Sequence, residues 1–187
     1  MILQDLRAKT FEQHHQLESH PLLHQLTSTD LSLSVYATIL HKFYGYFSPL
    51  EALVNQFSLE SYLPDFAERR KTQLLLQDLE KLDLEISIQL CDNLPAIYNM
   101  ESAMGAMYVM EGSTLGGQMI SRQVEKALGL TPARGTAFFY GYGKETGKRW
   151  KRFQEGLQRL ALTRDDCQTL ITTSQNTFFK FNHWLSV

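Results

Sequence analysis

The sequence predicts an all-α protein, and three observations support this fold class. Apolar residues recur at the i, i+3, i+4 and i+7 spacing of amphipathic helices along most of the chain. The 5 prolines and 11 glycines among its 187 residues fall mainly between these periodic segments. The alternating segment LEISIQL, at 84–90, stands alone without a second strand to pair with. The chain is therefore predicted to form a single domain over residues 1–187, which is long enough to build one hydrophobic core.

Six helices follow from the periodic segments. Their predicted ranges are 2–18, 33–57, 64–82, 96–128, 145–161 and 164–185. The second is capped by Asp30 or Ser32 and is expected to kink at Pro49. The third has Pro64 in its first turn, where a missing N–H costs nothing, and the fourth ends at Gly129. The predicted connecting segments are 20–26, 83–95 and 131–147, the last rich in glycine.

Composition and charge exclude several classes of protein. The net charge of −2 gives no sign of a nucleic-acid partner. The 2 cysteines lie far apart, so they predict neither a disulfide framework nor a CxxC metal site. No apolar run approaches the ~20 residues of a membrane span, and the first residues lack the apolar core of a signal peptide. We expect a cytoplasmic protein with neither nucleic-acid nor membrane partners.

His14 is the first candidate functional residue. Helical periodicity places it in the middle of the apolar stripe of the first helix, with Arg7 and Thr10 within roughly 40° of it, whereas His15 points toward solvent. Such a histidine is either a core residue or a neutral imidazole ligand to a metal or haem iron. Without a second ligand at HxxxH or ExxH spacing, a single-ligand haem iron is favoured over a multi-ligand metal site. Arg7 is then either a snorkelling side chain or a clamp for an anionic ligand.

The segment MEGSTLGGQMIS, at 110–121, places three glycines inside a helix that is otherwise apolar. Each costs about 1 kcal/mol relative to alanine in a helix interior, so we expect the helix to be opened or bent here. Two interpretations remain. Gly112, Gly116 and Gly117 either allow another helix to pack closely or leave a bare backbone wall for a flat ligand. A phosphate loop is excluded, because the segment lacks the GxxxxGK[ST] pattern and a preceding strand.

Together these motifs resemble the haem oxygenase family. LRAKTFEQHHQLE, at 6–18, is similar to its proximal-helix pattern of threonine, three residues, the ligand histidine and Leu-Glu, which selects His14 over His15. EGSTLGGQ, at 111–118, resembles its distal-helix glycine motif, especially in bacterial, phytochrome-associated, biliverdin-producing members. FFYGYGKETGKRWKRF and TFFKFNHWL are similar to later segments of the family, so the resemblance spans nearly the whole chain.

This resemblance implies a helical bundle that holds haem b between a proximal helix and a kinked distal helix. It also implies oxidative cleavage of haem to biliverdin, carbon monoxide and free iron, with O2 and electrons from a donor such as ferredoxin or a reductase. A bacteriophytochrome is an expected user of the biliverdin. The alternative is a non-catalytic haem-binding or haem-transfer protein on the same fold.

The resemblance also implies roles for individual residues. His14 would be the axial ligand of the haem iron. The expected distal wall consists of Gly112, Ser113, Gly116 and Gly117. The expected haem-binding residues are Arg7 and Lys151, toward the propionates, and Phe178, on the apolar side. Ser113 is a departure, since animal members carry an aspartate here that orders water near bound oxygen. The route of proton delivery in this chain is therefore left open.

Overall fold

The computed structural model describes residues 2–69, 72–82, 87–161 and 163–187, and these residues form an α-helical domain. In this part of the chain no strand forms, so the all-α prediction is confirmed. Four short 3₁₀ turns lie between the helices. The α-helices are α1 (Ile2–Lys9), α2 (Phe11–Glu18), α3 (Pro21–His24), α4 (Leu33–Val54), α5 (Gln73–Glu80), α6 (Met100–Leu128), α7 (Ala137–Tyr140), α8 (Thr146–Leu160) and α9 (Arg164–Leu185).

The core is built around α6, which packs along α9 and also contacts α4, α7 and α8. Aromatic side chains fill the space between α4, α7 and α9. Phe43, for example, makes edge-to-face contacts with Phe139 and Phe181, at ring-centroid distances of 5.3 and 5.0 Å. Full burial of one such side chain contributes about 1.5–3 kcal/mol. This packing fixes α6 as the rigid element on which the candidate site is built.

Local capping explains where most helices begin and end. The Ser32 side chain, not that of Asp30, caps α4 by accepting from the Val35 N–H at 3.3 Å. Pro49 lies inside α4 and cannot donate to the Gly45 carbonyl. That carbonyl instead accepts from the Cys91 N–H at 2.8 Å, so the helix continues past the proline. The carboxyl end of α6 is at Gly129, which has φ 69°, a left-handed conformation that suits glycine, as predicted.

The predicted first helix is divided into α1 and α2 at Thr10. The Thr10 hydroxyl donates to the Leu6 carbonyl at 2.7 Å, a back-bond that competes with regular helical geometry. None of the residues of α2 is buried. The expectation that His14 lies buried is therefore wrong, since 54% of its side chain is exposed. The reason is that α2 borders an open cleft rather than a closed core.

The prediction of a helix over 64–82 is also wrong. Pro64 lies in a turn between two 3₁₀ segments, and among the described residues of this range only Gln73–Glu80 forms an α-helix. Ion pairs hold the preceding segment instead: Arg69 contacts Asp65 at 2.9 Å, and Asp65 contacts Arg149 of α8 at 2.9 Å. These tertiary contacts outweigh helix propensity. Residues 83–86 of the predicted connector, which include the first three residues of the alternating segment, lie outside the described residues. From Ser87 onward the alternating segment forms no strand.

Candidate functional site

A cleft of about 550 Å³ opens between α1, α2, α6, α8 and α9. This volume lies within the range of about 300–1,000 Å³ that is typical of small-molecule sites. The cleft is lined mainly by apolar side chains, with a few polar groups at its edges. Five residues predicted from the sequence meet in it: Arg7, His14, Gly112, Ser113 and Phe178. The other three, Gly116, Gly117 and Lys151, are not among the lining residues.

The His14 imidazole faces this cleft from α2. Its Nδ1 lies 3.4 Å from a carboxylate oxygen of Glu18, one turn later on the same helix. Its ring contacts Phe178 edge-on, with centroids 5.6 Å apart and planes at 81°. A carboxylate beside Nδ1 favours a proton there, which makes Nε2 the nitrogen that can bind a metal. His15 is exposed, as predicted, and stacks on Phe11 with the two ring centroids 6.2 Å apart.

One edge of the cleft is polar and is formed by Arg7 of α1, Thr10 between α1 and α2, and Tyr108 of α6. Burial raises the pKa of the Tyr108 hydroxyl above its ordinary value, although a hydrogen bond with Thr10 and the charge of Arg7 act in the opposite direction. The phenol therefore stays neutral and can donate at physiological pH. A guanidinium beside a neutral phenol suits a carboxylate ligand. Sequence reasoning missed Tyr108, although it lies one turn before Gly112 on the same face of α6.

The three glycines of α6 have three different surroundings, and the helix stays continuous through all of them. At Gly112 an added Cβ would lie 3.8 Å from the Trp150 ring, beside the cleft. At Gly116 it would meet nothing within 4 Å. At Gly117 it would collide with the carbonyl oxygen of Phe139, in α7. Gly117 thus lies in close packing against α7, whereas Gly112 borders the cleft without a side chain, so the surroundings of the two glycines match different interpretations.

Ser113 lines the cleft next to Gly112. Its hydroxyl donates to the Met110 carbonyl at 2.7 Å, a helical back-bond. On α8, the lining side chains are those of Trp150 and Gln154, which lie one turn apart. Lys151 follows Trp150 and points about 100° away from it around the helix, so its side chain is exposed. The lining residues of this helix are therefore Trp150 and Gln154, and the role of Lys151 toward the haem propionates stays a prediction.

Behind α6, on the side away from the cleft, a buried ionic network fixes the backbone beside Gly112. Arg69 contacts Glu111 at 2.5 Å, and the hydroxyl of Tyr142 donates to the same carboxylate at 2.8 Å. Burial raises the pKa of Asp65, but Arg69 and Arg149 outweigh it and hold that pKa below its ordinary value. The network escaped prediction because its charges come from segments far apart in the chain.

A metal site made of protein ligands alone is not formed by the residues that the structure describes. Among them, no three His, Cys, Asp or Glu side chains are grouped to hold an ion. A single imidazole in an apolar cleft suits haem iron, whose four equatorial ligands come from the porphyrin. The cleft fits this group, since it combines His14, a polar edge for carboxylates and apolar walls. None of the described helices is long and apolar enough to cross a membrane.

Comparisons with known proteins identify the family and support the fold. A search of curated proteins found no match. The structure is similar to three solved bacterial heme oxygenases, each at low sequence identity. The heme oxygenase of Leptospira interrogans has 19% sequence identity and a TM-score of 0.81, and the match covers 99% of this chain and 98% of that one. The enzyme of Neisseria meningitidis, in NO- and CO-bound forms, has 20% identity and a TM-score of 0.84, with 99% of this chain and 90% of that one covered. The Synechocystis sp. PCC6803 protein in complex with heme has 15% identity and a TM-score of 0.79, again with 99% of this chain and 90% of that one covered. The family model described as Heme oxygenase matches residues 1–186. With nearly the whole chain matched, this protein belongs to the heme oxygenase family.

Proposed function

We propose that this protein cleaves haem b oxidatively to biliverdin, carbon monoxide and free iron, with O2 and electrons from a donor such as ferredoxin or a reductase. The observation that carries the proposal is the position of the His14 imidazole. It faces a cleft of about 550 Å³, which Gly112 of α6 also lines. Membership of the heme oxygenase family supports it. The similar fold of the Synechocystis protein, described in complex with heme, supports haem as the ligand.

In this proposal His14 binds the haem iron through Nε2. Glu18 holds the imidazole by its Nδ1, at 3.4 Å, and Phe178 packs on the ring edge. A carboxylate at Nδ1 makes the imidazole a stronger donor and fixes its orientation. Because α2 is anchored to α9, the ligand is placed by the fold rather than by its own side-chain freedom.

Arg7 and Tyr108 bind the propionates at the polar edge of the cleft. Each propionate then accepts charge-assisted or neutral hydrogen bonds from groups that the fold already holds in place. Lys151 lies one residue from Trp150 on α8, so its flexible side chain can add a further positive charge outside the cleft. This arrangement leaves the apolar edges of the macrocycle against the apolar walls.

In this proposal Gly112 and Ser113, which line the same cleft as His14, form the distal wall. Haem supplies the iron that binds O2 and the carbon that is oxidised. The Ser113 hydroxyl already donates to the Met110 carbonyl, and the neighbouring Glu111 carboxylate pairs with Arg69 behind α6. The wall therefore contributes open space and no acidic side chain. We propose that water in the cleft delivers the protons. Gly116 keeps the adjoining space open, and Gly117 supports the wall through its contact with α7.

We also propose where the reaction takes place and which protein uses its product. We propose a cytoplasmic enzyme, which the two unpaired cysteines, Cys91 and Cys167, support. The EGSTLGGQ segment resembles that of phytochrome-associated members. This supports a bacteriophytochrome as the user of the biliverdin.

Turnover by the haem-loaded protein tests the proposal. The protein is mixed with haemin, the Soret band is recorded, and ferredoxin with its reductase and NADPH is added in air, with catalase present to remove free peroxide. We expect bilin absorbance to rise as the Soret band falls, with carbon monoxide detected by trapping on ferrous myoglobin. A stable Soret complex that yields no bilin would instead show a non-catalytic haem carrier. Absence of a Soret complex would exclude both functions.

A further inference from the structure

Trp150 is the largest side chain among the described residues that line the cleft. Its ring lies 3.8 Å from the position that a Cβ would occupy at Gly112. Its ring centroid is 5.8 Å from that of Tyr108, at the polar edge. The indole therefore closes the corner where the glycine wall meets the edge at which carboxylates are expected to bind.

The indole is held in this place from behind. Trp150 stacks on Phe153, with centroids 5.5 Å apart and planes at 23°. Phe153 is fully buried, and the guanidinium of Arg69 lies over its ring at 5.6 Å. Arg69 is in turn paired with Asp65 and Glu111. Rotation of the indole away from the cleft would break this stack on a fully buried ring, so packing favours the observed position of Trp150.

A rigid wall at one corner matters because the haem edge is not uniform. Propionates bound at Arg7 and Tyr108 orient one side of the macrocycle, but haem can still be seated in two ways that exchange its vinyl and methyl groups. It can also rotate within its own plane. Differences of one or two carbon atoms against a close-packed wall discriminate about tenfold or more between ligands. With the propionates at Arg7 and Tyr108, the Trp150 ring, which lies beside both Tyr108 and Gly112, would face a peripheral edge of the macrocycle.

We propose that Trp150 determines which meso carbon of haem is cleaved, by fixing the seating of the macrocycle against the propionate edge. The inference rests on the proposed haem-cleaving function. Arg69 and Phe153 are positioning residues in this scheme, because they hold the indole and do not line the cleft.

The test compares Trp150→Ala and Trp150→Phe with the wild-type protein. Trp184→Phe is the matched control, since Trp184 is also half-buried but lies on α9, outside the lining residues. Two readouts are taken from each haem complex. The first is the ratio of biliverdin isomers after turnover, separated by chromatography. The second is the proton NMR spectrum of the ferric cyanide complex, in which the shifted haem methyl resonances report seating without any turnover.

We expect Trp150→Ala to change the isomer ratio and the population of the two seatings by about tenfold. Trp150→Phe should give a smaller change in the same direction, and Trp184→Phe should match the wild-type protein. Wild-type isomer ratios and methyl shifts in Trp150→Ala would overturn the inference. If Trp150→Ala fails to hold haem, wild-type methyl shifts in Trp150→Phe would overturn it equally. A wild-type protein that binds haem but forms no bilin refutes the proposed function, and the methyl shifts still decide whether Trp150 fixes the seating.

Discussion

Alanine substitutions at Gly116 and Gly117 separate the two uses of glycine in α6. The residues are adjacent in one helix, so each substitution gains the same helix propensity, about 1 kcal/mol. Gly116 is exposed and its Cβ would meet nothing within 4 Å. We therefore expect Gly116→Ala to raise the free energy of unfolding by about 0.5–1 kcal/mol.

Gly117→Ala carries the same gain and a larger cost. The new methyl group would overlap the Phe139 carbonyl oxygen and lie 3.3 Å from the carbonyl carbon. The neighbouring atoms are backbone, so α7 would have to move. Its first two N–H groups donate to the buried Asp78 carboxylate at 2.9 and 2.8 Å, which resists that movement. Overpacking costs about 1–3 kcal/mol or more, and a clash with backbone atoms belongs at the upper end of this range, so a net loss of up to about 2 kcal/mol remains after the gain of about 1 kcal/mol.

Urea denaturation followed by circular dichroism measures both changes by linear extrapolation. For a chain of this length 1 kcal/mol corresponds to about 2–4 °C in Tm, so thermal melts give an independent check. Gly116→Ala should melt above the wild-type protein and Gly117→Ala below it. Equal stabilisation by the two substitutions would refute the assignment of Gly117 to close packing against α7.

Three further predictions concern charged groups. Because Arg69 and Arg149 hold the pKa of Asp65 below its ordinary value, its carboxylate stabilises the fold at neutral pH, and this contribution disappears as pH falls below about 4. Asp65→Asn should therefore lower the free energy of unfolding by about 3 kcal/mol at pH 7 and by less at pH 3, and a pH-independent loss in urea titrations would contradict this. Arg7→Ala should weaken haem binding about tenfold through loss of a charge-assisted hydrogen bond, and an unchanged Kd in a Soret titration would exclude the propionate role. Glu18→Gln should lower the Fe–His stretching frequency of the ferrous complex in resonance Raman spectra, because the amide polarises the Nδ1–H group of His14 less. An unchanged frequency would show that Glu18 does not act on the ligand histidine.

Signals that lie within one stretch of chain were enough to predict much of the fold. The cap at Ser32 and the left-handed Gly129 each depend on a few neighbouring residues, and the structure has both. The helix predicted over 64–82 does not form along its full length, because Arg69 pairs with Glu111 of α6 and Asp65 pairs with Arg149 of α8. Contacts between distant segments outweigh local propensity there, and no single-segment pattern reveals them.

Periodicity predicted helices that line the cleft, but not which side chains of each helix line it or how deeply they are buried. His14 shares a stripe with Leu3 and Leu6, which led to the expectation of burial. The cleft that exposes it exists only once α2, α6 and α9 have packed. On α8, a rotation of one residue exchanges the exposed Lys151 for Trp150, which lines the cleft. Charge drew attention to Lys151, whereas the aromatic contacts that place Trp150 come from other helices.

The most direct test compares His14→Ala with His15→Ala in their haem complexes. The two histidines are neighbours on one exposed helix, so the substitutions disturb the fold to a similar, small extent. Electronic absorption and electron paramagnetic resonance of the ferric complexes, with resonance Raman of the ferrous ones, report axial imidazole ligation. We predict that His14→Ala loses the Fe–His signal and bilin formation, that added imidazole restores ligation, and that His15→Ala retains both. Retention of the Fe–His signal in His14→Ala, or its loss in His15→Ala, would contradict the assignment of His14 as the haem ligand.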